Sequence, residues 1–281
     1  MPGPESGPVT PPAAPSATRS GPPAISRLRT LLARAGHALL PGACVLCGQE
    51  AAAGTQTCRE CHAQVFGTRC PRCAVCANPL AARWHGDQGS ADRHAGQGSS
   101  LCGRCLAHRP AFDATLAAVD YAMPQDQLVL QLKFGGRLAL SALFGRVLAD
   151  AVQAAPGLVR PAVLCPVPLG QRRLAGRGFN QALEIARALG RRLDIAVHPR
   201  LAARVRDTVA QSLVQPSERR ANVAHAFAVP DRALVEGRHI GIVDDVMTSG
   251  QTLDELAAVF KRHGAARITC LVFARTPPHY S

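Results

Sequence analysis

The chain is expected to fold as an α/β protein: a parallel sheet flanked by helices, preceded by a small double zinc ribbon. Three observations predict this. From about residue 110 onward, apolar runs of strand length alternate with helical patterns, the order of a parallel sheet covered on both faces. Nine of the eleven cysteines fall between Cys44 and Cys105, eight of them in C-x-x-C pairs. One strand-length run, His239 to Val243, ends in two adjacent acids followed by a glycine-bearing turn.

Proline, glycine and serine crowd residues 1–26, which are expected to form a disordered tail without the apolar block of a secretory signal. Between Ile25 and Leu40, the residues Leu28, Leu31, Leu32, Leu39 and Leu40 share one helical face, with Arg27, Arg29 and Arg34 elsewhere. A mitochondrial presequence has a similar pattern; a short helix packed on the adjoining cysteine-rich domain is the preferred expectation. Helix and ribbons together would occupy residues 27–109, and the α/β domain residues 110–281.

The cysteine pairs are Cys44/Cys47, Cys58/Cys61, Cys73/Cys76 and Cys102/Cys105. A C-x-x-C turn brings two thiolates to one metal, and two turns close a tetrahedral Zn²⁺ site, so four pairs predict two structural sites. First pair with second and third with fourth is the simplest arrangement; the spacing also allows an interleaved one. A disulfide framework suits secreted chains, and nothing here marks secretion. Cys70, in C-P-R-C-A-V-C, overlaps the third pair and is set aside as a spare or alternative ligand. Residues 83–100 are polar, glycine-rich and aperiodic, which predicts a flexible insertion in the second ribbon.

Thr115 to Tyr121 has the pattern of a strand; Gln125 to Phe134 and Leu138 to Val152 have the pattern of helices. Ala162 to Cys165 is a short apolar strand, followed by an amphipathic helix from Phe179 to Leu193. His239 to Val243 and Arg267 to Phe273 are apolar strands around a helix from Leu253 to His263, which Gly264 ends. A ligand of such a sheet belongs at the carboxyl ends of its strands, where Asp244 stands.

Asp244 and Asp245 precede Thr248-Ser249-Gly250-Gln251-Thr252 and then a helix start. Free backbone N–H groups of a turn and a helix N-terminus make an anion cradle. Two carboxylates just before it can grip a vicinal diol whose phosphate rests in the turn, as in a ribose 5-phosphate. Acids that merely cap a helix are the plainer alternative. A second constellation comes after the strand near residue 163: Pro166-Val167-Pro168-Leu169, then Arg172, Arg173 and Arg177, whose planar, permanently charged donors suit a diphosphate. Gly178 would let the backbone approach the ligand, and Asn180 can cap the next helix.

The diacid stretch resembles the signature of type I phosphoribosyltransferases. By that resemblance Asp244 and Asp245 would hold the ribose 2′- and 3′-hydroxyls of phosphoribosyl pyrophosphate. Thr248, Ser249, Gly250, Gln251 and Thr252 would bind its 5′-phosphate, with Val246 and Met247 completing the segment. Arg172, Arg173, Arg177 and Gly178 would form the pyrophosphate loop. The long Arg-rich stretch at residues 204–227 would be the flexible loop that closes over the diphosphate, with Arg204, Thr208, Gln211, Arg219, Arg220 and Asn222 as contacts. Mg²⁺ would accompany the diphosphate.

From Cys44 to Arg275 the chain resembles the ComF/GntX-type family, which joins a double zinc ribbon to a type I phosphoribosyltransferase-like domain. The blocks that carry this are the cysteine pairs, CGRCLAHRPAFD, LKFGGRLAL, P-V-P-L…RGFNQ, RDTVAQS…ERRANV and the diacid motif. The resemblance implies a glycosyltransferase of the pentosyl class linked to competence and DNA uptake, with single-stranded DNA and a helicase-like ATPase as partners. Thr248 stands where some family members carry an acid, so no general base is evident. Glutamine amidotransfer is not expected, because the first third is ribbon and Met1-Pro2 opens the tail.

A net charge of +13 suits polyphosphates or nucleic acid, although arginine so outnumbers lysine that part of it reflects composition alone. Lys133 and Lys261 are the only lysines. No apolar run is long enough to span a membrane, and a cytoplasmic location is expected. Three functions from different classes fit: an active phosphoribosyltransferase, a sensor of a phosphoribosyl or nucleotide ligand, and a DNA-handling accessory protein. Aromatics are 4% of the chain, with Phe66 and Trp84 alone near the ribbons, which weakens base stacking as a mode of DNA binding.

Overall fold

The computed structural model describes residues 42–52, 54–67, 70–80, 101–206 and 225–277. The tail, the helix expected at Ile25 to Leu40, the insertion at 83–100 and the loop positions Thr208, Gln211, Arg219, Arg220 and Asn222 lie outside the described residues.

In chain order the elements begin with helices α1 (Arg59–Phe66) and α2 (Gly103–Ala107), which belong to the cysteine-bearing region. Then come β1 (Ala114–Asp120), α3 (Gln125–Lys133), α4 (Leu140–Gln153) and β2 (Val163–Pro166). Helices α5 (Gln171–Arg177) and α6 (Gln181–Leu193) are next, then the short antiparallel pair β3 (Ala203–Arg204) and β4 (Phe227–Ala228). The last elements are β5 (His239–Met247), α7 (Gln251–Arg262) and β6 (Arg267–Arg275).

The main sheet has four parallel strands in the order β1-β6-β5-β2. Its two faces follow from strand periodicity. Val243, Leu271 and Phe273 meet α4 and α6 on one side; Ile240, Ile242, Cys270 and Val272 meet α7 on the other. The α4 face is apolar at helical spacing, with Leu140, Leu143, Phe144, Val147 and Leu148 all buried. The Phe144 ring stacks on Phe273 at 3.7 Å between centroids. Gly145 lets α4 and α6 close up: a Cβ there would lie 2.4 Å from the Ala188 Cβ.

The cysteine-bearing region joins both faces. Phe66 of α1 packs on Phe273, with ring centroids 6.3 Å apart. Val75, Cys76, Cys105 and Phe112 belong to the core on the α7 side.

Helix and strand boundaries differ from the expected ones by one to three residues at most ends, with two informative exceptions. β5 runs on through the acids to Met247, because β6 continues to pair with it as far as Arg275. The stretch expected to be an arginine-bearing loop is instead a short helix, α5, closed by Gly178 in the left-handed conformation at φ +80°.

Candidate functional site

β2 stops at Pro166, paired with Val243, whereas β6 accompanies β5 four residues further. The sheet is therefore open on one side beside Asp244 and Asp245. A cleft of about 460 Å³ occupies that opening, walled by the diacid, the turn after it, Pro168, Leu169, Arg173, Arg177, Lys133 and Phe134.

The two acids are unlike. Asp245 is buried, at 3% exposure, and its Oδ2 lies 2.7 Å from Lys133 Nζ. Burial works to raise its pKa, and the Lys133 ammonium outweighs burial, so Asp245 sits below the ordinary carboxylate value. Asp244 is pushed well above that value, first by burial and then by the charge of Asp245. Its Oδ1 accepts the Asp245 backbone N–H at 2.9 Å.

The turn after them is shaped by Gly250, whose φ of +82° a side chain would strain and whose added Cβ would lie 2.5 Å from Met247 Cε. As N-cap of α7 it offers no side-chain oxygen. The first N–H groups of that helix are thus left for an external acceptor. Ser249 Oγ donates to Gln251 Oε1 at 3.2 Å. All nine expected residues from Asp244 to Thr252 line the one cleft.

Of the arginine cluster, Arg173 and Arg177 line the cleft, while Arg172 lies on the exposed side of α5 and is not among its walls. Helical periodicity explains the split, since neighbours i and i+1 point about 100° apart. Arg177 also lies over the Phe134 ring at 5.3 Å. Gly178, expected to let the backbone approach a ligand, ends α5 in the left-handed conformation and is not among the cleft walls. Asn180 does cap α6, accepting from Ala182 N at 3.0 Å, and its Nδ2 donates to the Val167 carbonyl at 3.0 Å. Arg204 lines the cleft as well and lies over Phe227.

Lys133 and Phe134 were missed as site residues. The available signal was that Lys133 is one of two lysines in the chain, placed beside Phe134 at a helix end before Gly135-Gly136.

The cysteines form two clusters, Cys44/Cys47/Cys58/Cys61 and Cys73/Cys76/Cys102/Cys105, each with all Sγ atoms within 4.8 Å of one another. The sequential pairing is therefore the one adopted. Cys47 and Cys58 Sγ lie 3.8 Å apart, Cys76 and Cys102 Sγ 3.5 Å. A tetrahedron with Zn–S near 2.3 Å has edges of about 3.8 Å, so both clusters fit zinc and neither has disulfide spacing. Against the upward push of burial, backbone N–H groups of Cys58, Cys47 and Leu46 bring Cys44 down to about 6. Those of Cys102, Cys76 and Val75 bring Cys73 to about 7. Such donors favour the thiolate, the form that binds metal. Cys70 stays outside both clusters and is exposed.

The chain matches the phosphoribosyl transferase domain family over residues 174–280 and the double zinc ribbon domain family over residues 35–106. It is 33% identical over 243 residues to the DNA utilization protein YhgH of Escherichia coli O157:H7, covering 84% of this chain and 98% of that protein. Competence protein F of Haemophilus influenzae is 32% identical over 178 residues, 62% of this chain and 78% of its own length. A solved glutamine phosphoribosylpyrophosphate amidotransferase from B. subtilis overlaps 48% of this chain and 26% of its own, at 20% identity and a TM-score of 0.33, too distant to add to the site. No helix among the described residues is long and apolar enough to cross a membrane.

Proposed function

This chain belongs to the ComF/GntX-type family of phosphoribosyltransferase-like proteins with an N-terminal double zinc ribbon, and on that premise we propose that it binds phosphoribosyl pyrophosphate and transfers ribose 5-phosphate to an acceptor. The observation that carries this reading is one cleft shared by the diacid and the glycine-led, uncapped N-terminus of α7. In this reading Asp244 and Asp245 accept hydrogen bonds from the ribose 2′- and 3′-hydroxyls. The segment from Thr248 to Thr252 holds the 5′-phosphate, and Arg173 and Arg177 meet the diphosphate.

Mg²⁺ fits this donor set, since hard oxygens of the diphosphate and ribose would hold it with the acids nearby, and when bound it neutralises the leaving diphosphate. The chain's own residues orient the sugar and stabilise the departing charge. Arg204, with Thr208, Gln211, Arg219, Arg220 and Asn222, would close the cleft. The names of the two relatives support a role in DNA uptake. The reading places that role in the cytoplasm, with single-stranded DNA and a helicase-like ATPase as partners.

A second reading, a sensor that binds the activated sugar without turning it over, is favoured by Thr248, which places no acid at the head of the turn. Calorimetry with phosphoribosyl pyrophosphate at saturating Mg²⁺, followed by isotopic pyrophosphate exchange, separates the readings. Heat with exchange supports transfer, and heat without exchange supports sensing. Absence of heat sinks both.

A further inference from the structure

Arg275, the last residue of β6, is 3% exposed, and its hydrogen bonds run to backbone carbonyls. Nε donates to the Cys76 carbonyl at 3.0 Å. Nη1 donates to the carbonyls of Met247 at 3.0 Å, of Thr276 at 2.6 Å and of Thr248. Cys76 belongs to the second cysteine cluster, while Met247 and Thr248 open the turn in front of α7. One guanidinium thus joins a metal knuckle to the turn assigned to a phosphate.

A second tie runs parallel to it. Asp254, in the first turn of α7, accepts the Ala111 backbone N–H on Oδ1 at 2.7 Å, six residues after Cys105. The turn is held from behind at both ends by the chain around the second cluster. The knuckle is itself under strain, for Ala77 next to Cys76 has φ +54°, a conformation that persists only where surrounding bonds enforce it. Backbone bonds from Ala77 N to the Cys73 carbonyl at 2.9 Å and from Cys73 N to the Asn78 carbonyl at 2.8 Å hold it, and metal on the flanking thiolates would tie down the same segment, the Cys76 carbonyl included. The first cluster instead adjoins the core on the other face of the sheet, through α1 and Phe66.

We propose that Arg275 is a positioning residue through which the metal centre at Cys73, Cys76, Cys102 and Cys105 sets the shape of the turn from Thr248 to Thr252, and hence its affinity for a phosphorylated ligand. The first centre, at Cys44, Cys47, Cys58 and Cys61, has no such hold on it. The affinity half of this proposal rests on the phosphate reading of the turn; the geometric half does not. A planar fork spans the carbonyls of both segments where a lysine ammonium cannot.

Amide hydrogen exchange on the full zinc-loaded chain tests it, comparing the amides that donate to carbonyls around the turn, Asp254 to Gly250 and Thr276 to Met247, with residues 240–243 in β5 as internal control. Cys102→Ser and Arg275→Lys should each speed exchange of the turn by about tenfold, the loss of one hydrogen bond to a charged donor. Cys47→Ser should leave it unchanged, and ribose 5-phosphate affinity measured by calorimetry should fall in step. Equal turn exchange in Cys102→Ser and wild type, or an equal effect of Cys47→Ser, overturns the proposal. Should a variant unfold, its β5 amides will exchange too. Wild type stripped and reloaded with zinc then decides, and turn protection that fails to follow the metal is again refutation. Zinc-dependent protection in a chain that binds no ribose 5-phosphate would sink the phosphate reading while the coupling itself stood.

Discussion

Lys133 Nζ lies 2.7 Å from Asp245 Oδ2, so the end of α3 is bound to the second acid of β5 and the two neighbouring carboxylates are set apart. Asp245 becomes a structural anion as well as a cleft wall. Asp244 is half-buried and has no cation of its own at that distance, so burial and the charge of Asp245 disfavour its ionised form.

Stability should therefore depend on this pair in a defined pH window. Asp245 lies below its ordinary value, so its contribution is present above pH about 4 and is lost as pH falls through the folded value. For Lys133, burial pulls downward, but the charge of Asp245 raises it above its ordinary value. Its contribution is full below about pH 10 and is lost as pH rises through that folded value. Asp245→Asn should cost about 2–3 kcal/mol at neutral pH, below the full cost of breaking a buried pair because Lys133 keeps some exposure. Denaturant melts across the pH range would show the variant's deficit largest between about pH 4 and 10 and shrinking toward either extreme; a constant deficit would contradict the pairing.

Asp244→Asn is expected to move stability in the other direction. A carboxyl held above its ordinary value destabilises the native state wherever it is ionised, so its amide should raise neutral-pH stability by about 1 kcal/mol. The same change should remove binding of the activated sugar. Thermal melts and calorimetry on one sample measure both, and a less stable variant that still binds would be decisive against this division of roles.

Gly250→Ala introduces a side chain at φ +82°, facing Met247 Cε at 2.5 Å. Left-handed strain alone costs about 1–2 kcal/mol, and relief of the contact must shift the turn. Affinity for ribose 5-phosphate should drop at least about tenfold. Unchanged affinity would show that the turn does not hold the phosphate.

Arg173→Ala should weaken phosphoribosyl pyrophosphate by about 1.5–3 kcal/mol, the contribution of a hydrogen bond to a charged group, while Arg172→Ala should have little effect. The contrast follows from which residue of α5 lines the cleft. With ribose 5-phosphate, which lacks the diphosphate, the two variants should bind alike.

Metal analysis of the purified chain should find two zinc ions. Cys61→Ser should retain one and Cys70→Ser both, because Cys70 lies outside either cluster. A third zinc lost with Cys70 would reopen the ligand assignment.

The strands, the helices around them and both halves of the cysteine framework were legible because each is written in short spacings. C-x-x-C turns, the continuous apolar run of β5 and the diacid before a glycine turn all act over a few residues. The arginine segment was expected as a loop on the family resemblance, yet it is a short helix with Gly178 as its left-handed end. For Lys133 the only signal was its rarity as one of two lysines, and the role of Arg275 was not legible at all.

Taken alone, the amino-acid order determined which chemistry is present: eight thiols in pairs, an acid doublet, a glycine-bearing turn at a helix start and a parallel α/β frame. Tertiary structure decided which of these groups meet. It brought Lys133 to Asp245, matched the cysteine pairs in sequence order, put Arg173 rather than Arg172 at the cleft, and joined Arg275 to a carbonyl 199 residues away. The reason is range: backbone geometry couples residues a few positions apart, whereas contacts between distant segments exist only once a shared core has fixed how those segments pack.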